Sequence, residues 1–153
     1  MKCSFNFLLK LKTKKILVEL CSSLLILLFL YAALMKLMTY QDFVSQLEHS
    51  PLLESFAGIV AWLVPVTEIG ICALLIILRL RRLGFCLSFV LMLVFTAYII
   101  YVINYAPYIP CACGGVLNSM GWDAHLVFNL VYSGIALTGL LLHKNIRLLE
   151  RTG

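Results

Sequence analysis

Cys111 and Cys113 stand one residue apart in the stretch IPCACGGVLNSMGWDAHLVFN, residues 109–129. Pro110 precedes the pair, and Gly114 and Gly115 follow it. A Cys-x-Cys disulfide closes a very small ring, and restricted geometry strains such a bond and makes it more reducible. The flanking proline and glycines help the backbone adopt the tight turn. A staple gains stability from closing a long loop. This minimal ring therefore suits thiol–disulfide exchange or electron relay better than stapling. Two other readings stay open. The cysteines could be unpaired thiols, or mark a structural kink, with no redox role. They could also join His125, with His49 as a distant fourth ligand, around a soft ion such as Cu(I) or Zn, although the spacing is not a standard zinc pattern.

His125 and Asn129 are four residues apart, so on a helix they share a face just beyond the thiols. An imidazole there could lower a cysteine pKa and make the thiolate available, or it could be a hydrogen-bonded interfacial histidine. Glu68, in the run PVTEIG, and Lys36 lie within long apolar stretches. A carboxylate at membrane depth costs roughly 2.5–3.5 kcal/mol on insertion scales, so Glu68 should face inward and have a partner. Lys36 is the natural candidate; the alternative, should their depths differ by a turn or two, is a protonated Glu68 hydrogen-bonded to another neighbour. The pair could merely lock helix order, or Glu68 could exchange protons beside a bound quinone or thiol. Pro65, one turn before Glu68, is expected to free a backbone carbonyl and kink the helix, which leaves space near it.

The elements that position these groups must be membrane helices. Of the 153 residues, 63% are hydrophobic and 12% charged, against roughly 45–50% and 25% in soluble domains. Too little polar surface remains to cover a water-soluble globule, and the mean hydropathy of +1.03 agrees. Four apolar segments, near 16–38, 56–78, 83–105 and 123–143, can each cross the bilayer, which takes about 20 helical residues. The runs are Leu-rich and lack two-residue alternation, so barrel strands are excluded in favour of helices. The predicted fold is an all-α integral membrane four-helix bundle. Residues 1–15 and 144–153 are expected to be basic tails around a membrane domain over 16–143.

Eleven of the twelve Lys and Arg residues lie before span one, between spans two and three, or after span four, and segments 39–55 and 104–122 have none. By the positive-inside rule both termini are cytoplasmic and the thiol loop is on the outer face, between helices three and four. In a bacterium that face is the periplasm, where disulfides persist. The net charge of +5 is then a topology signal; lipid, not nucleic acid, is the expected partner. The basic start and apolar core of residues 2–35 resemble a signal peptide, but the apolar run exceeds the usual 7–15 residues and is read as a retained span. Asp123 is a candidate N-cap for span four. Segment 39–55 is predicted to hold a short amphipathic helix at the outer interface, with Phe43 and Leu47 on its apolar face. Phe95, Tyr98, Tyr101, Tyr105 and Tyr108 run toward the same surface, where a ring-shaped cofactor could rest among them. Cys21, Cys72 and Cys86 lie too deep to bond with the loop pair and are read as packing.

Ala33-x-x-Lys36, Pro65-x-x-Glu68, Cys111-x-Cys113-Gly114 and His125-x-x-x-Asn129, in that order, resemble the MauE/DoxX group of four-span bacterial membrane proteins, and within it the MauE members. The resemblance covers nearly the whole chain after the basic tail. It differs in having Gly114-Gly115 where Phe-Gly often follows the second cysteine. It implies a redox-associated inner-membrane protein. MauE-like members are linked to making or maintaining disulfides in periplasmic proteins, and DoxX-like relatives to quinone-coupled sulfur oxidation. The expectation is a thiol–disulfide relay: Cys111 and Cys113 exchange with a periplasmic thioredoxin-like protein or disulfide-containing client, and His125 assists proton transfer. Glu68, Lys36 and Asn129 lie beside the candidate cofactor, a quinone. The rival expectation is a non-enzymatic subunit or chaperone that binds a soft metal or a partner protein through the same loop.

Overall fold

No proline or glycine occurs before Pro51, so nothing local interrupts a helix there. In the computed structural model, which describes residues 2–50, 52–105 and 121–152, the first helix accordingly runs unbroken over Lys2–Met38 (α1). The basic segment expected to be a tail is thus helical and continuous with the first span. Thr39 turns the chain: its hydroxyl and its N–H both donate to the Met35 carbonyl, at 2.9 and 3.0 Å. A short helix, Tyr40–Glu48 (α2), follows at once. A 3₁₀ turn at Glu54–Phe56 leads into Ala57–Ile76 (α3), and Arg81–Tyr105 (α4) and Trp122–Thr152 (α5) complete the chain. All regular structure among the described residues is helical.

Four of these helices hold stretches long and apolar enough to cross a membrane: Leu11–Met38, Glu54–Ile76, Arg81–Tyr105 and Ala124–Ile146. They close into a ring in which α1 packs on α3, α3 on α4, α4 on α5, and α5 back on α1. The core holds Leu25, Phe29, Leu75, Phe85, Met92 and Ala136. Leu27, Ile59, Leu93 and Val131, one on each spanning helix, face outward. Water would not tolerate so continuous an apolar exterior. Lipid tails do, and the outward side chains supply the hydrocarbon contact a spanning helix needs.

Between the helices, small and hydroxyl residues let backbones approach and keep polar atoms paired, as membrane bundles require. The buried hydroxyls of Ser88, Thr96 and Ser133 each donate to the carbonyl four residues earlier, at 2.7–2.8 Å. Gly139 faces the fully buried Phe85 ring so closely that a Cβ there would overlap a ring carbon. Gly139→Ala is therefore expected to destabilise the bundle by about 1–3 kcal/mol through overpacking. Gly134→Ala, at a position with nothing within 4 Å, should be neutral or slightly stabilising. Unfolding of both variants in lipid–detergent bicelles checks the contrast.

At the α3–α4 turn, Arg81 is buried, although the basic residues there were read only as a topology signal. Its Nε donates to the Leu75 carbonyl at 3.0 Å, and its Nη1 meets Glu19 Oε1 of α1 at 2.5 Å. This ties α1 to the turn and accounts for Glu19, the acidic residue within span one. Two expectations need correcting. Asp123 is not the N-cap of the fourth span: α5 already begins at Trp122, and the His125 N–H bonds the Gly121 carbonyl at 3.0 Å. Gly121 therefore holds the cap position, and Asp123 falls in the first turn of the helix. Cys86 is not packing within the bundle but exposed on its outer surface, because its place on α4 falls one step from the inward face of Phe85. Cys72 is buried as expected, with its thiol 3.7 Å from the Ile26 carbonyl, and Cys21 is half-buried against the core.

Candidate functional site

Pro65 and Glu68 both fall on the buried face of α3, which continues as a helix through the proline. Glu68 is completely buried, and its Oε1 receives a hydrogen bond from Lys36 Nζ of α1 at 2.8 Å; the two side chains are 0% and 11% exposed. The pairing expected from their types and depths is thus present. Lys36 Nζ also lies 3.5 Å from the Ala32 carbonyl, and it sits 6.0 Å from the Phe43 ring centroid and 5.8 Å from that of Phe95. The ammonium is therefore held by one carboxylate, one carbonyl and two aromatic faces, which offsets its removal from water.

Beside the ion pair lies a cavity of about 250 Å³ to which all five helices contribute. Leu28, Phe29 and Lys36 of α1, Val64 and Glu68 of α3, and Phe95, Tyr98 and Ile99 of α4 form its sides. α5 supplies His125, Phe128 and Asn129. The four-residue spacing of His125 and Asn129 thus works as read from the sequence, since both reach the same space as Lys36 and Glu68. Most of the lining is apolar or aromatic, with the polar groups gathered on a few residues. That is the usual composition of a small-molecule site.

The wall formed by α2 was not foreseen as part of the site. The expected amphipathic helix exists, and its Phe43 and Leu47 are buried. They pack on Ala57 and Ala61 of α3 rather than only meeting an interface, because those alanines leave room for a helix to settle between the spans. Phe43, Gln46 and Leu47 consequently close one side of the cavity. Ser50, just after α2, accepts a hydrogen bond from the Tyr98 hydroxyl at 3.0 Å, which fastens this wall to α4. Gln46, three residues after Phe43 on the same face, was the available sequence signal.

Three buried side-chain atoms on cavity residues have no hydrogen-bond partner among the described residues: Glu68 Oε2, Gln46 Oε1 and Asn129 Nδ2. Buried polar atoms in folded proteins are nearly always paired, so such orphans gathered in one cavity point to a polar guest. Of the aromatic residues expected near the outer surface, Phe95 and Tyr98 line this space, while Tyr101 and Tyr105 stack on each other at 5.6 Å. His49 is exposed, and its ring nitrogen meets the Ser45 carbonyl at 2.6 Å. No three metal-binding side chains come together among the described residues. Cys111, Cys113 and Tyr108 lie outside the described residues. The segment that carries them joins the last turn of α4 to the start of α5, the end of the bundle at which Lys36 and His125 stand.

A ring of four apolar helices around an internal ion pair and a cavity defines a multi-pass helical membrane protein with a polar intramembrane site. A model of the family described as methylamine utilisation protein MauE matches residues 14–142, most of the chain, and the chain belongs to that family. No curated protein and no solved structure matches it.

Proposed function

We propose that this MauE-family protein is a thiol–disulfide relay of the bacterial inner membrane, with both termini cytoplasmic and Cys111 and Cys113 on the periplasmic face. The observation that carries the reading is the largely apolar cavity on which Lys36, Glu68, His125 and Asn129 converge, near the ends of α4 and α5 that the Cys-x-Cys segment joins. In the relay, a thiolate of a periplasmic thioredoxin-like protein or client attacks the Cys111–Cys113 disulfide. One sulfur of the pair leaves as a thiolate, and a mixed disulfide forms. The client's second thiol then displaces the remaining cysteine. The client ends oxidised, and Cys111 and Cys113 hold two electrons and two protons as thiols. Read backwards, the same steps reduce a client.

Resetting the pair needs a two-electron, two-proton partner, and a lipid-soluble quinone supplies that chemistry. Asn129 Nδ2, the cavity's unpartnered donor, can meet one carbonyl of such a group. In this reading His125, the cavity residue nearest the thiol segment in sequence, carries protons between them beside the Lys36–Glu68 pair. The test is thiol trapping in intact cells, before and after a membrane-impermeant reductant is added. The relay predicts that Cys111 and Cys113 are alkylated only after reduction, and that they return to the protected state when the reductant is removed. A pair that stays alkylatable throughout would end the proposal. Copper or zinc bound stoichiometrically to the purified protein, and lost on Cys111→Ser, would instead favour the metal-binding subunit.

A further inference from the structure

Near the short turn that joins them, α3 and α4 touch closely. Gly84 faces Leu75 so tightly that a Cβ there would lie 3.0 Å from its side chain and backbone. Arg81 Nε donates to the Leu75 carbonyl at 3.0 Å and fixes the same end. Farther from the turn the two helices no longer fill the space between them. Val60, Val64 and Glu68, at four-residue spacing on one face of α3, and Val94, Phe95 and Tyr98 of α4 line the cavity instead. At the far end of the gap α2 inserts Phe43 and Leu47, and the Tyr98 hydroxyl donates to Ser50 at 3.0 Å.

The side of this gap is open. Val94 lines the cavity and is nevertheless 56% exposed. Among the described residues that line the cavity, it alone is exposed, and Val60 and Val64 on α3 are half-buried. Counted from the shared turn at roughly 1.5 Å per residue, Val64 and Val94 stand at similar depth, each about 18–20 Å away. Both lie within candidate spans, Glu54–Ile76 and Arg81–Tyr105. What meets the opening at that depth is hydrocarbon, not water.

We infer that the cavity opens sideways into the bilayer through a window between Val64 and Val94, and that an acyl chain of a membrane phospholipid occupies it. The rim offers a water molecule no polar side chain to bind, and apolar cavities of this kind stay dry. A chain segment, by contrast, loses nothing on leaving liquid hydrocarbon. It gains contacts with walls that would otherwise face a void. Behind the rim, Phe29, Met92 and Ile99 carry the apolar surface inward. A cavity of roughly 150 Å³ holds benzene, so about 250 Å³ holds on the order of ten chain carbons. The inference stands apart from the relay. It has one consequence for any reading of the site: a guest arriving from the membrane must displace the resident chain.

The test is photolabelling of the full-length protein in phosphatidylcholine nanodiscs. A fraction of the lipid carries a diazirine midway along one acyl chain, and mass spectrometry locates the labels after irradiation. Labels should appear on Phe29, Met92 or Ile99, which line the cavity and are at most 2% exposed, as well as on outward residues such as Leu27 and Val131. Labels confined to outward residues overturn the inference. Filling the window from both rims, with Val64→Phe and Val94→Phe together, should abolish the inner labels. An unchanged outward pattern shows that this variant is folded. Val64→Ala with Val94→Ala widens the window and should raise inner labelling relative to outward. Inner labels that respond to neither pair of changes mean that the chain enters elsewhere, and they overturn the window. Tyr98→Phe, which frees α2 from α4, should leave inner labelling unchanged; a rise there would move the entrance to the α2 end and overturn the window as well.

Discussion

Lys36→Met should cost the folded bundle roughly 3–5 kcal/mol, the usual penalty for removing one partner from a buried ion pair. Glu68 is fully enclosed, and Lys36 is its hydrogen-bond partner among the described residues, at 2.8 Å. Methionine has a similar length and fills the same volume, so the loss reports charge rather than packing. The reciprocal change, Glu68→Met, strands an ammonium between Phe43 and Phe95. It should cost somewhat less, because the aromatic faces and the Ala32 carbonyl still hold the cation. The double variant is decisive. Replacing a buried pair together by apolar residues is often neutral or stabilising, so Lys36→Met with Glu68→Met should unfold within about 1 kcal/mol of the parent. Denaturant titration in bicelles measures all four corners of this cycle. A single Lys36→Met variant as stable as the parent would mean that the pair contributes nothing to the fold. A stable double variant that no longer supports thiol exchange would show that the pair exists for the site's function, since the helices pack without it.

The second large effect concerns the cysteines themselves. On the proposed relay, Cys111→Ser and Cys113→Ser should each reduce exchange with an added dithiol to background, because a hydroxyl replaces the sulfur that would leave or attack. The two variants should differ in what they accumulate. The one that retains the attacking cysteine but lacks the resolving one should hold a mixed disulfide with the partner, visible as a mass shift on non-reducing gels that a reductant removes. That asymmetry assigns the two sulfurs, which their symmetrical spacing does not. Cys72→Ser and Cys86→Ser should leave exchange intact: Cys72 is enclosed among the helices, and Cys86 faces outward from α4. If neither loop variant loses exchange, the motif has no redox role.

How much of this was legible in advance follows from which forces act locally. The four spans could be read directly, because in hydrocarbon the backbone must satisfy itself and a long apolar run without breakers has only the helix available. The inward orientation of Glu68 and its pairing with Lys36 followed from the cost of a bare charge at that depth. The shared face of His125 and Asn129 followed from helical periodicity. The expected amphipathic helix α2 was visible in Phe43 and Leu47, but not its burial. That depended on Ala57 and Ala61 leaving a hollow on α3, a property of two segments together.

Sequence alone therefore determined the solvent this chain lives in, the number of its apolar helices and the types of group its interior must neutralise. Those follow from per-residue transfer energies and backbone pairing, which need no knowledge of neighbours. Tertiary structure decided that Lys36, Glu68, Gln46, His125 and Asn129, spread over four helices, share one cavity. It also decided that Arg81 turns inward to meet Glu19 and that Gly139 gives way to Phe85. Each of these depends on how one helix is rotated and set in depth against the next. That setting is a collective minimum of packing over the whole ring, which no single stretch of residues encodes.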